Sequence, residues 1–468
     1  MAPNPKKGGA GVKIMKSYDV IVVGAGDVGL GIAFKAASKD LKVALVDKGQ
    51  VGGTCVNYGC VPSKTLIHSA DRIREIRKAE KLGVRTQIID IDFQAIMDRM
   101  RRAVISGRNG IERAIAETEN LNFIREEAHF IDDRTVEAGD QKIKGKKIFI
   151  ASGARPRVPL TKGLDRVPYL TNESVLELKK RPESMIIIGG GYVGLEYAHF
   201  FSAMGTRVVM IHRHSTLLSF EEPEISESLK KEVEKYTELF LNLEITEIKK
   251  ADGGYSARVR DLSTGVEKKL SAETLFVAAG RKSNADLLRV ENAGLETDKN
   301  NFLKVDDHLQ TNQKHIWAIG DAIGRSMFTH AGDKEAELAW HNATHRKKIR
   351  MDFDSVPHAI YTNPQIASVG LTEEQARKNH EILVGRASYS DIVMGEAMME
   401  QEGLAKAVVE KGTGRILGFH IIGPHAAMLI QEVVNAVINK NELKSITDSM
   451  HIFPALSNLI PEVLGNLE

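Results

Sequence analysis

The chain has 468 residues, 42% of them hydrophobic, and its 64 basic and 62 acidic side chains leave a net charge of +2. That is apolar material for about two to four packed domains, and the even charge balance argues against a nucleic-acid partner. The longest apolar runs fall short of the roughly 18 residues needed to cross a bilayer, so no membrane role is expected.

Residues 1–17 are rich in Lys, Gly and Pro and lack the apolar centre of a signal peptide, so they read as a disordered leader. Asp19-Val20-Ile21-Val22-Val23 has strand length and composition. Gly24-Ala25-Gly26-Asp27-Val28-Gly29 follows, then a helical run to Ser38, then a second strand, Lys42–Val46, ending at Asp47. Strand, G-x-G-x-x-G, helix, strand and acid together predict a dinucleotide fold. Gly24, Gly26 and Gly29 let the backbone approach a pyrophosphate at the helix N-terminus, and Asp47 accepts from ribose hydroxyls. Asp27 inside the loop is mildly unfavourable there unless its carboxylate turns away.

Gly52-Gly53-Thr54-Cys55-Val56-Asn57-Tyr58-Gly59-Cys60-Val61-Pro62-Ser63-Lys64 holds both cysteines of the chain. Two thiols make neither a disulfide framework nor a zinc site. In unbroken helix, residues i and i+5 have Cα atoms about 8.6 Å apart, beyond the roughly 4.4–6.8 Å of a disulfide. The segment therefore cannot be plain helix and also bridge. Gly59 permits an irregular turn, and Val61-Pro62-Ser63-Lys64 reads as a helix start. Cys60 then lies at a helix N-terminus, which favours a thiolate, with Lys64 one turn on. Two inert thiols are the competing reading, and the flanking nucleotide motifs weigh against it. A paired, reducible cysteine couple in a reducing cytoplasm is a catalytic device. The charged run Asp71–Lys81 continues this helix and reads as a solvated face.

A second fingerprint follows. Ser184–Ile188 leads into Gly189-Gly190-Gly191-Tyr192-Val193-Gly194-Leu195-Glu196, a helix, and the strand Arg207–Ile211. Gly189, Gly191 and Gly194 repeat the loop. The strand ends in His212-Arg213-His214 with no acid, so NADP(H), whose 2′-phosphate Arg213 can take, is favoured over NAD(H). Arg213 as an ordinary solvated charge is the alternative.

Together these motifs resemble the pyridine nucleotide-disulfide oxidoreductases from about Tyr18 to the C-terminus. The resemblance implies an α/β fold with two Rossmann-like dinucleotide-binding domains and a C-terminal α+β dimerisation domain. It places an FAD-binding domain at 18–158 and 281–350, an NAD(P)-binding domain at 159–280 and a dimerisation domain at 351–468. Thr311-Asn312 and Ile316–Asp321 look like the second flavin motif, with Asp321 on the ribityl chain. Ala151-Ser152-Gly153 and Ala278-Ala279-Gly280-Arg281 look like the segments crossing between nucleotide domains. Val356-Pro357 and Tyr361–Thr372 look like the opening of the dimerisation domain. By resemblance, Cys55 is the interchange thiol and Cys60 the thiol over the flavin, the two forming a redox-active disulfide. Lys64 and Glu196 pair near the flavin ring, and Tyr192 covers it until nicotinamide arrives. Gly53, Thr54, Ser152, Gly153 and Gly280 are further cofactor contacts. No resident metal is implied. A homodimer is implied, because the family's C-terminal segment completes the partner's site.

The chain departs from the family at its end. Members acting on dithiols or disulfides carry a His-Pro pair and, four residues after the proline, a glutamate, whose general-base catalysis contributes roughly 10²–10⁴-fold. Here Phe453 and Asn458 occupy those places. His451 is a candidate replacement, displaced by roughly 6–7 Å along extended chain. Mercuric reductase, within the family, also lacks the histidine, but it delivers mercury through an added cysteine pair that this chain lacks. The expected activity is hydride transfer from NAD(P)H to FAD, then to the Cys55–Cys60 disulfide, then to a small non-dithiol acceptor such as a metal ion, a quinone or another electrophile. A dihydrolipoamide dehydrogenase with a rearranged base and an FAD-binding assembly or sensor subunit are the alternatives.

Overall fold

The computed structural model describes residues 15–468. The expected leader lies outside the described residues except at its end, where Lys16 and Ser17 open the first strand, Lys16–Val23. The chain forms two compact units. The first takes the chain up to Cys55 with Gly107–Arg155 and Lys282–Met351; the second takes Val56–Ser106, Pro156–Arg281 and Asp352–Glu468. The second unit thus gathers Val56–Ser106 with the segments read as NAD(P)-binding and dimerisation domains. No helix among the described residues is long and apolar enough to cross a membrane.

In the first unit the strands run in the order Leu121–Ile124, Val43–Val46, Lys16–Val23, Gln141–Ile150, Thr135–Ala138, Ala128–Phe130, with Ile316–Ala318 also pairing with Gln141–Ile150. The first four are parallel neighbours. Val43–Val46 is buried along its whole length, as suits a parallel strand covered on both faces. The second unit repeats this arrangement in Glu238–Phe240, Arg207–Ile211, Ser184–Ile188 and Thr274–Val277, all parallel. Counting these four parallel strands in chain order, each set therefore runs third, second, first, fourth, the order of a dinucleotide-binding half. Both expected glycine loops leave the first strand at its carboxyl end. The loop after the fourth strand lies beside each, and this is the switch point where ligands bind open α/β sheets.

The second unit adds two antiparallel sheets. One has three strands, Leu243–Ala251, Gly254–Asp261 and Glu267–Ala272. The other runs His358–Ile360, Gln365–Gly370, Ile416–Gly423, Leu404–Glu410, Ile382–Ser388. Val369, Phe419 and Ile421 of this sheet pack with Ile430, Val433 and Val434 of helix Ala426–Ile438 and with Ile460 and Val463 of helix Leu459–Gly465. This is the α+β layer read from the sequence.

A buried charge cluster joins the second nucleotide fold to that layer. Lys406, 2% exposed, reaches Glu222 at 2.6 Å, Glu224 at 2.8 Å and Glu373 at 2.8 Å. Arg386 adds a second cation between Glu224 and Glu373. The three carboxylates bring ligand oxygens within 4.8 Å of one another, and the Lys406 ammonium already supplies their positive charge. Beside them Glu221 accepts from Ser368 Oγ at 2.6 Å and pairs with His358. In the first unit another buried carboxyl, Glu335 on helix Thr329–Thr344, accepts the Gly320 N–H at 2.6 Å and so fixes the turn that carries Asp321. Its Oε1 is buried without a hydrogen-bond partner. Burial, reinforced by Asp321, pushes the Glu335 carboxyl up to about 8.

Two outcomes are expected. Lys406→Met leaves the buried Glu222 without its cation, Arg386 still facing Glu224 and Glu373, and costs roughly 3–5 kcal/mol in urea unfolding; a loss below about 1 kcal/mol contradicts this balance. The Arg386 hydrogen bond, helped by Lys406, holds Glu224 down to about 2. Its contribution is therefore present above the unfolded carboxyl range and fades as pH falls from about 4.5 towards 2. For Glu335 the sign reverses: stability present below about 4.5 is lost as pH rises through about 8. Glu335→Gln keeps an acceptor for Gly320 and is expected to flatten the melting temperature between about pH 6 and 9, where the parent declines. Parallel pH profiles for the two proteins refute it.

Candidate active site

The two glycine loops are built alike. Gly24 and Gly189 have φ of +112° and +115°, and a Cβ on them would lie 2.1 Å from the Ala151 carbonyl oxygen and 2.3 Å from that of Ala278. Only glycine permits both the conformation and the approach. Gly29 and Gly194 sit in the first turns of helices Asp27–Ala37 and Tyr192–Ala203, close on the carbonyls of Gly24 and Gly189. The exits Ala151-Ser152-Gly153 and Ala278-Ala279-Gly280 thus lie against the loops, each in its own unit.

In the first unit Gly26 and Gly53 also approach closely. Asp47 Oδ2 accepts from the Ala25 N–H at 2.6 Å, and Oδ1 accepts from Gly49 at 2.7 Å. Lone pairs remain on both oxygens for ribose hydroxyls. Ser152 Oγ is buried without a hydrogen-bond partner, and space opens at Gly153. Asn284 holds that loop by donating to the Ser152 carbonyl at 2.8 Å. Asp321 is half-buried in the turn Gly320–Ala322. Asp27 is exposed at the start of its helix. An orphaned hydroxyl, an open glycine and a carboxylate beyond the loop fit the pyrophosphate and ribose of FAD. Thr54 and Cys55 follow on helix Gly53–Tyr58, both half-buried.

In the second unit space is open at Gly191 and Gly280, which fits a second dinucleotide. His212 takes the place of Asp47. Its Nδ1 accepts the Gly190 N–H at 3.0 Å, as Asp47 accepts that of Ala25. Burial, then the neighbouring His214, pushes the His212 imidazole down to about 4. The ring is therefore neutral at physiological pH, with its one proton on Nε2. Arg213 and His214 beside it are exposed.

The cysteine segment breaks at the expected glycine. Helix Gly53–Tyr58 stops, Gly59 takes φ −129° and ψ −107°, and helix Cys60–Lys78 begins. Cys60 is the first residue of a 19-residue helix and is exposed. Lys64, one turn on, places Nζ 2.9 and 2.8 Å from the two carboxylate oxygens of Glu196. Tyr192 is half-buried at the start of the Glu196 helix, packed against the adjoining core cluster. The run Asp71–Lys81 is not wholly a solvated face. Asp71 accepts from His199, which is fully buried, at 2.8 Å, and Arg74 donates to Ser202 at 2.7 Å. Two turns of that charged face are packing against the Glu196 helix.

At the C-terminal end Asn458 Oδ1 accepts from the Ala455 N–H at 2.8 Å, and its Nδ2 donates to the Ile452 carbonyl at 3.1 Å. It ties the turn and orients no imidazole. Phe453 is 72% exposed. His451 Nε2 lies 3.0 Å from Glu432 and Nδ1 lies 3.2 Å from the Ser449 carbonyl. These contacts hold the ring against Glu432 and against its own turn.

Two contacts were not singled out from the sequence. His212 had a signal, its place directly after the second strand of the repeat. Tyr361 had none: its ring stands 4.6 Å from Lys64 Nζ, and its N–H donates to Glu196 Oε1 at 3.1 Å.

Residues 18–378 match the pyridine nucleotide-disulphide oxidoreductase family, and residues 356–464 match that family's dimerisation domain. The chain is 34% identical over 435 residues to a mercuric reductase of Staphylococcus aureus, covering 92% of this chain and 79% of that protein. It is 32% identical over 457 residues to a dihydrolipoyl dehydrogenase of Chlamydia trachomatis, covering 96% of each. Among solved structures, the HOCl-induced flavoprotein disulfide reductase RclA from Escherichia coli matches with a TM-score of 0.85 and 27% identity, over 96% of this chain and 99% of that one. The chain belongs to the pyridine nucleotide-disulphide oxidoreductase family and is a flavoprotein oxidoreductase.

Proposed function

We propose that this flavoprotein uses NADPH to reduce a thiophilic metal ion through a redox-active Cys55–Cys60 pair. FAD, when bound, supplies the two-electron relay between reduced nicotinamide and the sulfurs. One NADPH and one proton convert the disulfide to two thiols. Reclosure releases two electrons and two protons, enough to take one Hg(II) to the metal or two Cu(II) to Cu(I).

The observation that carries the acceptor is the C-terminal turn. With Phe453 in place of the histidine, Asn458 engaged in backbone bonds and His451 held against Glu432 and the Ser449 carbonyl, this turn offers no histidine–glutamate couple for a substrate thiol proton. An acceptor bound directly by thiolates needs none. The mercuric reductase relatives and the Cu(II) complex of the Escherichia coli disulfide reductase support this class. The same turn weighs against a dihydrolipoamide dehydrogenase whose base is His451.

In this reading Cys55 meets the acceptor and Cys60, at its helix N-terminus, faces the flavin as the better-stabilised thiolate. Lys64 and Glu196 set the charge beside it, and Tyr192 covers the nicotinamide position. Gly24, Gly26, Gly29, Asp47, Gly53, Thr54, Ser152, Gly153 and Asp321 hold FAD. Gly189, Gly191, Gly194 and Gly280 hold the coenzyme, with Arg213 on its 2′-phosphate. A neutral His212 in place of a carboxylate removes the group that would grip the 2′-hydroxyl of NADH. The enzyme works as a cytoplasmic homodimer. Ile452 and Phe453 are 81% and 72% exposed, and Met428 and Met450 are exposed as well, apolar side chains that a second copy would cover.

Arg213→Ala is expected to raise KM for NADPH about tenfold and leave that for NADH unchanged; equal effects on both coenzymes remove the assignment. Anaerobic NADPH oxidation is expected to run at least about tenfold faster with Cu(II) or Hg(II) than with glutathione disulfide, and to stop in Cys55→Ser. Menadione in place of the metals tests a quinone acceptor. Comparable turnover of glutathione disulfide or dihydrolipoamide overturns the metal assignment.

A further inference from the structure

We propose that Tyr361 is a positioning residue that holds both members of the Lys64–Glu196 pair in place. The geometry of the pair is incomplete without it. Lys64 is a flexible four-carbon stem whose side chain is 38% exposed, whereas Glu196 is 8% exposed. An ammonium that accessible has rotamers leading into solvent, and an exposed ion pair alone constrains it weakly. Tyr361 weighs against those rotamers with a second attraction. Its ring face lies 4.6 Å from Nζ, within cation–π range. Its N–H donates to Glu196 Oε1 at 3.1 Å, so the carboxylate is held by a segment other than its own helix.

Tyr361 can do this because it is itself held rigidly. It follows strand His358–Ile360, which pairs with Gln365–Gly370 in the register Ile360 to Ile366. Ile360 and Ile366 are fully buried on either side of the connecting turn. Within the turn Thr362, 1% exposed, donates to the Pro364 carbonyl at 2.6 Å. Three separate segments therefore meet at one ion pair: the cysteine helix brings Lys64, the second nucleotide fold brings Glu196, and the C-terminal layer brings Tyr361. The aromatic face is the operative group, so phenylalanine should serve and an aliphatic residue should not.

The direct test is the rate at which an amine-reactive acetylating reagent modifies Lys64 in the FAD-loaded protein, read by peptide mass spectrometry. Tyr361→Leu is expected to raise that rate at least about threefold, and Tyr361→Phe to keep it below that threshold. Tyr361→Met fills the volume without a π face and stands in should the leucine variant fail to fold. No such rise in the aliphatic variants, or an equal rise in Tyr361→Phe, overturns the proposal. Its redox consequence rests on the reading above that the pair lies beside the flavin. Stopped-flow flavin reduction by NADPH should slow at least about threefold in Tyr361→Leu and in Lys64→Met. A labelling effect with unchanged reduction in Lys64→Met defeats that reading and leaves the positioning role standing. Slowing in Lys64→Met without slowing in Tyr361→Leu defeats the redox part of this inference.

Discussion

Two backbone crossings, Gly24 against the Ala151 carbonyl and Gly189 against that of Ala278, set the terms for the rest of the molecule. At each, a strand turns into a helix so tightly that a side chain would collide with the exit of a neighbouring strand. That closeness sets the start of each helix beside the turn, and a helix N-terminus favours an anion. It also forces the loop after the fourth strand to pass the same point. The segments at Ser152 and Gly280 are therefore consequences of the glycine turns as much as separate features.

The two copies have parted in chemistry while keeping their frame. The residue ending the second strand accepts a hydrogen bond from its own glycine loop in both, but one is a carboxylate and the other a neutral imidazole. A buried lysine then anchors the second copy to the C-terminal layer. In the first, the buried carboxyl Glu335 serves its own turn. One frame has become a nucleotide site with an acid at its edge, the other a nucleotide site fused to a scaffold.

What the sequence showed and hid follows from chain separation. The glycine loops, the break at Gly59 and the helix beginning at Cys60 depend on residues within a few positions of each other, and all were readable. The fold class followed from the repeat. Lys406 was not readable, because a lysine within Leu404–Glu410 looks like any solvent-facing strand residue until Glu222, Glu224 and Glu373 are placed around it. Asp71 and Arg74 misled for the same reason, since their partners His199 and Ser202 lie on another helix. The grouping of Val56–Ser106 with the second unit depends on such distant contacts. Tyr361 meets Glu196 across 165 positions, and no local pattern marks it.

Asn458 limits what its turn can accept. It both accepts and donates within its turn, and a glutamate there would keep the acceptor but forfeit the donor to the Ile452 carbonyl. Restoring histidine at 453 and glutamate at 458 would therefore loosen the loop that must present the histidine. A side chain at 458 is thus part of the backbone fastening of this turn, and an exchange there reaches Ile452 and Ala455 before it reaches any bound molecule.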